Sequence, residues 1–412
     1  MRLPVPAVCD KNTFMKRWTF WLCFVMVEMA VSAVLATDSQ VIKIISSLPR
    51  TGSANSQSQT MVNGIRMAIE EVGGKVGEFS IAYEDWDDAS PERGQWDPAV
   101  EAANAQKAVQ DPDIMAYIGT YNSGAAKIAM PILNKASLAM VSPANTYPGL
   151  TKPGTGEANE PQVYRPSGKI NYFRVVPADD IQGEVAAMWA RELGVKKVFI
   201  LHDRELYGKG VADVFKRACD KLGIQVVGYE GIDPKAPNYR SLVTKIKSTD
   251  ADMVYFGGTT QTNAGQIAKD LVAGGAKVKL MVPDGCREQA LIESAGKDNL
   301  DDRTYVTFGG LPPSQLQGRG KEFYENYKKK YNAEPEAYAV YGYEAARVVL
   351  EGIKRAGKKD RAAITDAIAS LRDFDGVLGK WSFDQNGDTS LKVMAVEEVK
   401  DGKFTPVKIV GM

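Results

Sequence analysis

Two clusters of small polar side chains are the residues of this chain best suited to act on a small molecule. Thr120-Tyr121-Asn122-Ser123 follows the apolar segment Met115–Ile118, and Ala144-Asn145-Thr146 follows the apolar segment Leu138–Val141. No His, Cys or group of metal-ligating carboxylates accompanies them. Hydroxyls and amides at such positions hold a polar molecule by hydrogen bonds, but they supply no nucleophile–base pair. Ser123 is followed by Gly-Ala-Ala and the helical pattern Lys127–Asn134. It therefore sits at a helix N-terminus, where exposed amides and the dipole favour a carboxylate. Capping that helix is an equally good use for it.

Further candidates lie elsewhere. Ser53, Ser56 and Gln57 belong to the stretch after the first strand-like segment, expected as a loop over Leu48–Thr60. Tyr207 occurs in HDRELYGKG, Thr259 and Thr260 in FGGTTQTNAG, and Asp284 in MVPDGCR. Asp284 follows a buried apolar segment, where a lone carboxylate is costly unless a positive group meets it. A ligand ammonium would answer that need, although Pro-Asp-Gly is also a common turn sequence.

Catalytic readings find little support. The single histidine, His202, precedes Asp203, but no G-x-S-x-G elbow is present, and His202 reads as a strand-end residue with a structural hydrogen bond. G-x-G-x-x-G after the first strand and the Walker A pattern are both missing. One histidine leaves zinc or iron short of ligands. Glu84-Asp85-Trp86-Asp87-Asp88 lacks the spacing of a calcium loop. The expectation is a binding protein without cofactor, metal or catalysis. Lys+Arg and Asp+Glu are both 51, so no basic excess points to nucleic acid.

The elements that must position these residues alternate regularly. Val41–Ser47, Phe79–Glu84, Met115–Ile118 and Leu138–Val141 read as strands, with helices over Met61–Val72, Pro98–Gln110 and the Ser123 segment between them. The pattern restarts after Phe173-Arg174 with a helix over Asp179–Leu193, for which Asp180 or a neighbour is the expected cap. Strands over Val198–His202, Gln225–Tyr229, Met253–Gly257, Lys279–Val282 and Thr304–Phe308 follow, with helices between. Short runs apolar on both faces predict parallel sheets, in which ligands sit beyond the carboxyl ends of the strands. The helices Gly318–Tyr331, Ala337–Ala356 and Arg361–Leu371 have too few strands beside them for a third domain. They are expected to return to the first half, and a chain that recrosses between lobes forms a hinge. Lys380–Val410 reads as antiparallel strands, and Thr151–Lys169 as a long surface loop.

The first 36 residues read as a cleaved secretory leader, with Met15 as a candidate true start before Lys16-Arg17 and the apolar run from Trp18. Glu28 interrupts that run, which counts against a membrane anchor, and Trp21 and Leu22 count against lipidation at Cys23. Export to the periplasm follows. Of the cysteines beyond the leader, Cys219 and Cys286, spacing alone does not decide a disulfide.

Several motifs carry a family likeness. They are Tyr117-Ile118-Gly119 leading to Ser123, Ser142-Pro143-Ala144-Asn145-Thr146 with Pro148, and Phe173-Arg174 with Asp180 and Gln182-Gly183. His202-Asp203 with Tyr207-Gly208 and Gly210, then Pro283-Asp284-Gly285, complete the set. In order and spacing the chain resembles the branched-chain-type periplasmic amino-acid-binding proteins of ABC importers, from about Val41 to Val407. The resemblance implies the type I periplasmic binding protein fold, α/β, with two Rossmann-like lobes on parallel central sheets joined by three crossovers. It places residues 38–174 plus 310–376 in one lobe and 175–309 plus 377–412 in the other. It also implies that Ser123 and Thr146 hold a ligand carboxylate, that the Ala144 carbonyl and Asp284 receive its ammonium, and that Tyr207 closes over it. The implied partners are a small ligand and an inner-membrane permease, with the chain itself a monomer. A sensory protein feeding a separate receptor is the alternative. Gln57 stands where leucine-binding relatives carry a pocket aromatic, and Thr259 or Thr260 replaces another. With Tyr121 among the lining candidates, the side-chain end of the pocket is expected to suit a polar amino acid, or a small amide or acid, in place of leucine.

Overall fold

The computed structural model describes residues 41–411, together with Met1 and Pro4. The expected leader and its Met15 start otherwise lie outside the described residues. Seven strands, counted with their neighbours in chain order, position the first half of the cleft or begin the second. They are β1 (Val41–Leu48), β2 (Lys75–Val76), β3 (Phe79–Asp87), β4 (Ile114–Gly119), β5 (Ala139–Ser142), β6 (Tyr172–Arg174) and β7 (Lys197–His202). β1 to β6 form one sheet in the order β2-β3-β1-β4-β5-β6, parallel except for the β2–β3 pair. Every residue of β4 and β5 is buried, as two-sided helix cover requires.

β7 belongs to a second sheet with β8 (Gln225–Gly231), β9 (Met253–Gly257), β10 (Lys279–Val282), β11 (Thr304–Gly309), β12 (Met394–Lys400) and β13 (Lys403–Val410). Its order is β8-β7-β9-β10-β11-β12-β13, parallel from β8 to β11 and antiparallel from there to β13. In each sheet a strand lies between neighbours reached by connections of opposite direction, which opens a crevice at the carboxyl ends.

After β11 the chain goes back to the first sheet. Helices Arg319–Tyr331, Ala339–Ala356 and Arg361–Ala369 contribute Phe323, Val348, Ile353 and Ile364 to the same core as Ile42, Ile44 and Ile118. Two glycines allow the main contact. A Cβ on Gly64 would lie 2.2 Å from the Ala339 carbonyl oxygen, and one on Gly342 would lie 2.4 Å from that of Met61. Helix Asn55–Glu71 and helix Ala339–Ala356 thus touch backbone to backbone, closer than any side chain permits.

Val377, Trp381 and Phe383 also pack in this first core, so the segment through Phe383 sits on the first lobe although 377–412 was assigned to the second. Only the strands from Met394 join the second sheet. The reason is a hairpin, Phe374–Gly376 with Gly379–Trp381, whose Trp381 meets Phe383 edge-on, while Phe383 in turn packs against Phe173.

The crossovers are tied together at one point. Fully buried Arg174, at the end of β6, pairs with Asp388 at 2.7 Å, and the backbones join through Arg174 N to Gly387 O at 3.0 Å and Thr389 N to Arg174 O at 3.2 Å. The pair holds the Asp388 carboxyl below the usual carboxylate range despite its burial. No helix among the described residues is long and apolar enough to cross a membrane.

Thr151–Lys169 differs from the expected free surface loop. Thr151, Glu160 and Tyr164 are buried, because Glu160 accepts the Tyr147 hydroxyl at 3.0 Å and Thr151 donates to Asp388 at 3.0 Å. Lys152 reaches across to Asp180 at 2.7 Å.

Candidate functional site

Ser123 begins helix Ser123–Lys135, but the cap position is Asn122, whose side chain makes no capping bond. The buried Ser123 hydroxyl is therefore not spent on its own helix; it accepts Tyr147 N at 3.4 Å. Thr146 is buried, and its Oγ1 has no hydrogen-bond partner among the described residues. The loop that presents Ala144 and Thr146 is held on several sides. Ser142 Oγ accepts Ala144 N at 3.2 Å and Asn145 N at 2.8 Å, and Asn145 Nδ2 donates to Tyr121 O at 3.0 Å. The Arg174 guanidinium donates to Tyr147 O at 2.9 Å, so the hinge ion pair also fixes the back of this loop.

Facing it from the second lobe, Asp284 opens a short 3-10 turn after β10 and is 1% exposed. No lysine, arginine or histidine pairs with Asp284 among the described residues, which leaves an ammonium to come from a ligand. Asp284 instead accepts hydrogen bonds from the hydroxyls of Tyr207 and Tyr338 and from Gln182 Nε2 at 2.8 Å. Tyr338 belongs to the first lobe's core, so this carboxylate already bridges the lobes.

Gln182 Nε2 also donates to Asp179 Oδ1 at 3.0 Å, and Asp179 N donates to Thr146 O at 2.9 Å. Asp179 Oδ2 has no partner among the described residues. Burial first, and then the facing Asp284, push the Asp179 carboxyl well above the usual carboxylate range. Burial likewise raises Asp284, against the pull of its tyrosine and glutamine donors. A cation between two such carboxyls lets both ionise. Contacts thus run without a break from Thr146 through Asp179 and Gln182 to Asp284 and Tyr338.

Asp179, which was not among the expected site residues, is the acid of this helix that enters the cleft. Asp180 does not cap its helix, whose cap position is Ala178, and turns outward to Lys152. The available signal was helical spacing: Asp179 and Gln182 are three apart and share a face.

At the other end of the cleft, Gln57 lies on helix Asn55–Glu71 and not in a loop, because the helix begins earlier than its apolar periodicity does. Its Nε2 reaches Arg287 O across the lobes at 3.4 Å. Tyr121 meets Tyr338 edge-on, with ring centroids 6.1 Å apart. Thr259 is occupied locally, its backbone N–H donating to Thr262 Oγ1 at 2.9 Å in a capping box. Thr260 Oγ1 is buried without a hydrogen bond to any described residue. Glu288, which the sequence reading did not single out, is fully buried beside Thr260 and Gln261.

Other sequence candidates fall outside. His202 Nδ1 accepts Arg204 N at 3.1 Å, a local bond with no reacting partner. Cys219 and Cys286 are both free and buried. A hollow of about 800 Å³ lined by Glu70, Arg319 and Tyr343 touches none of the candidate residues, so size alone does not locate the site.

The lobes meet around the cleft: Gln289 N donates to Glu336 Oε1 at 3.1 Å, and Arg93 approaches Glu205 at 3.6 Å. Two α/β lobes on a three-strand hinge, closed over buried hydroxyls and carboxyls, define a solute-binding protein. Comparison with known proteins gives the family. The family model described as "Periplasmic binding protein" matches residues 41–403, and the chain belongs to that family, in its branched-chain amino-acid-binding type. An amino acid binding protein of Pseudomonas aeruginosa is 28% identical over 387 residues, covering 92% of this chain and 96% of that one. Leu/Ile/Val-binding protein homolog 2 of Brucella abortus is 30% identical over 366 residues, covering 86% and 90%. The crystal structure of a leucine-binding protein, LivK, from Thermotoga maritima superposes with a TM-score of 0.79 at 26% identity, covering 90% and 99%.

Proposed function

We propose that this chain is the periplasmic solute-binding component of an ABC importer, capturing one amino acid between its lobes and delivering it to an inner-membrane permease as a monomer. Ser123 and Thr146 would take the ligand carboxylate, with the first-turn amides of helix Ser123–Lys135 behind them. The Ala144 carbonyl, Asp284 and Asp179 would take the ammonium, and Tyr207 would close the cleft. The observation that supports this reading is the contact path from Thr146 to Asp284, which joins the hydroxyl-bearing loop of the first lobe to two buried acids of the second. Affinity would come from satisfying both ligand charges away from water, with hinge closure as the reporter of occupancy.

Calorimetric titration of the exported chain with free amino acids tests it. At least one should bind one to one, and blocking either its carboxylate as an ester or its amine as an acetamide should abolish binding. If no amino acid binds, or if the blocked forms bind as well as the free one, the amino-acid reading is wrong.

A further inference from the structure

At the end of the cleft away from Asp284, two buried acceptor oxygens make no hydrogen bond to any described residue. Glu288 is 0% exposed; its Oε1 accepts Gln261 Nε2 at 2.7 Å, while its Oε2 has no hydrogen-bond partner among the described residues. Gln57, also 0% exposed, spends its Nε2 on Arg287 O and leaves Oε1 unpartnered. The Tyr121 hydroxyl is buried and unpartnered as well. Glu288 is the charged group that bears most strongly on the Tyr121 phenol, ahead of Asp284, and the hydroxyls of Thr260 and of Ser56, on the Gln57 helix, lie beside the Glu288 carboxyl. Gln57, Tyr121 and Glu288 therefore face one space from both lobes.

The cation next in sequence does not neutralise Glu288. Arg287 forms a two-pronged pair with Glu397 at 2.6 and 2.9 Å and lies over the Phe404 ring. No lysine, arginine or histidine pairs with Glu288 among the described residues. A buried carboxylate oxygen and a buried amide oxygen without donors are unfavourable, and a hydrocarbon side chain placed against them would leave them so. A carboxylate side chain would add repulsion to the deficit. A ligand group that donates hydrogen bonds would complete the set.

We propose that Glu288 Oε2 and Gln57 Oε1 form a side-chain subsite for a nitrogen-bearing donor, so that the ligand is an amino acid whose side chain ends in an amide, an ammonium or a guanidinium. This rests on the amino-acid reading above and narrows it: leucine-like and acidic side chains are disfavoured by the same unpaired acceptors. Tyr121, edge-on to Tyr338, supplies a wall and one hydroxyl that can turn to suit the donor. Gln261 holds the other oxygen of Glu288 and so aims the free one.

The test is calorimetry on the exported chain with glutamine, lysine, arginine, leucine and glutamate, for the wild type, Glu288→Gln and Gln57→Met. At least one of glutamine, lysine and arginine should bind about 100-fold or more tighter than leucine and glutamate, since a site built to pair with a polar group rejects analogues that lack it. Glu288→Gln keeps the shape and one acceptor, and should cut that preference by about tenfold or more while leucine changes by less than about threefold. Gln57→Met should lower the preference in the same direction, which keeps the test available if one variant does not fold. Tightest binding of leucine or glutamate, or a preference untouched in both variants, overturns the subsite and leaves amino-acid capture standing. Binding of no amino acid removes both.

Discussion

The two ends of the cleft are built on opposite principles. Around Asp284 the acid is already served by three donors, Tyr207, Tyr338 and Gln182, drawn from both lobes. Around Glu288 one acid oxygen and the Gln57 side-chain oxygen accept no hydrogen bond from any described residue. A pre-formed polar end suits the part that all amino acids share, since it needs little rearrangement to accept a zwitterion. An end with orphan acceptors is complementary to few side chains, because every poor match leaves a buried group unpaired. On the proposed reading, affinity and selectivity would be separated along one cleft, with Tyr338 touching both ends.

The largest effect should follow from removing the acid at the shared end. Asp284→Ala is expected to cost roughly 2–5 kcal/mol of affinity for every ligand that binds, whatever its side chain. Titration of the variant with a good and a poor ligand checks this, and a loss confined to one ligand would mean the two ends are not separate.

Closure comes next. Gly210 stands where a Cβ would lie 2.6 Å from the Tyr147 ring on the opposite lobe. Gly210→Val should therefore strain the closed form by on the order of 1–3 kcal/mol and weaken all ligands alike. Small-angle scattering with and without ligand would show the compact state reached at higher ligand concentration. Unchanged affinity would show that this contact is not part of closure.

The smallest effect is on stability, and it separates the ends by pH. Burial pushes Glu288 up to about 7 from an ordinary 4.5. The folded chain then keeps a proton that the unfolded chain has released, so this contribution is present below about pH 4.5 and is lost as pH rises through about 7. Glu101, buried between Ser47 and Tyr117, is raised to about 8 and acts in the same direction. Thermal melts of the ligand-free protein should fall between about pH 6 and 8, and Glu288→Gln should remove on the order of 1 kcal/mol of that fall. A Glu288→Gln profile parallel to the wild type would place this carboxyl in a wetter setting than the closed cleft.

Much of this was legible along the chain. Short apolar runs ending in small polar residues gave the sheets and the strand-end loops, and the sparse strands after Phe308 gave the returning helices. Ser123, Thr146, Tyr207 and Asp284 stood out as candidates because each closely follows the end of a strand. Gln57 was placed in a loop because polar residues hide the first turns of its helix, and the lobe of 377–383 was missed because an aromatic hairpin, and not a strand of either sheet, decides it. Asp179 was not singled out, since adjacent aspartates differ only in the side of the helix they occupy.

From the amino-acid order alone came the α/β alternation, the strand ends that offer hydroxyls, and the poverty of catalytic groups, because these depend on residue type and short-range period. Which carboxyls are paired and which are left waiting was settled only by the folded chain. Gln182 meets Asp284 over 102 positions and Gln57 meets Arg287 over 230, and hydrogen-bond satisfaction at such separations is a property of packed geometry that no local pattern encodes.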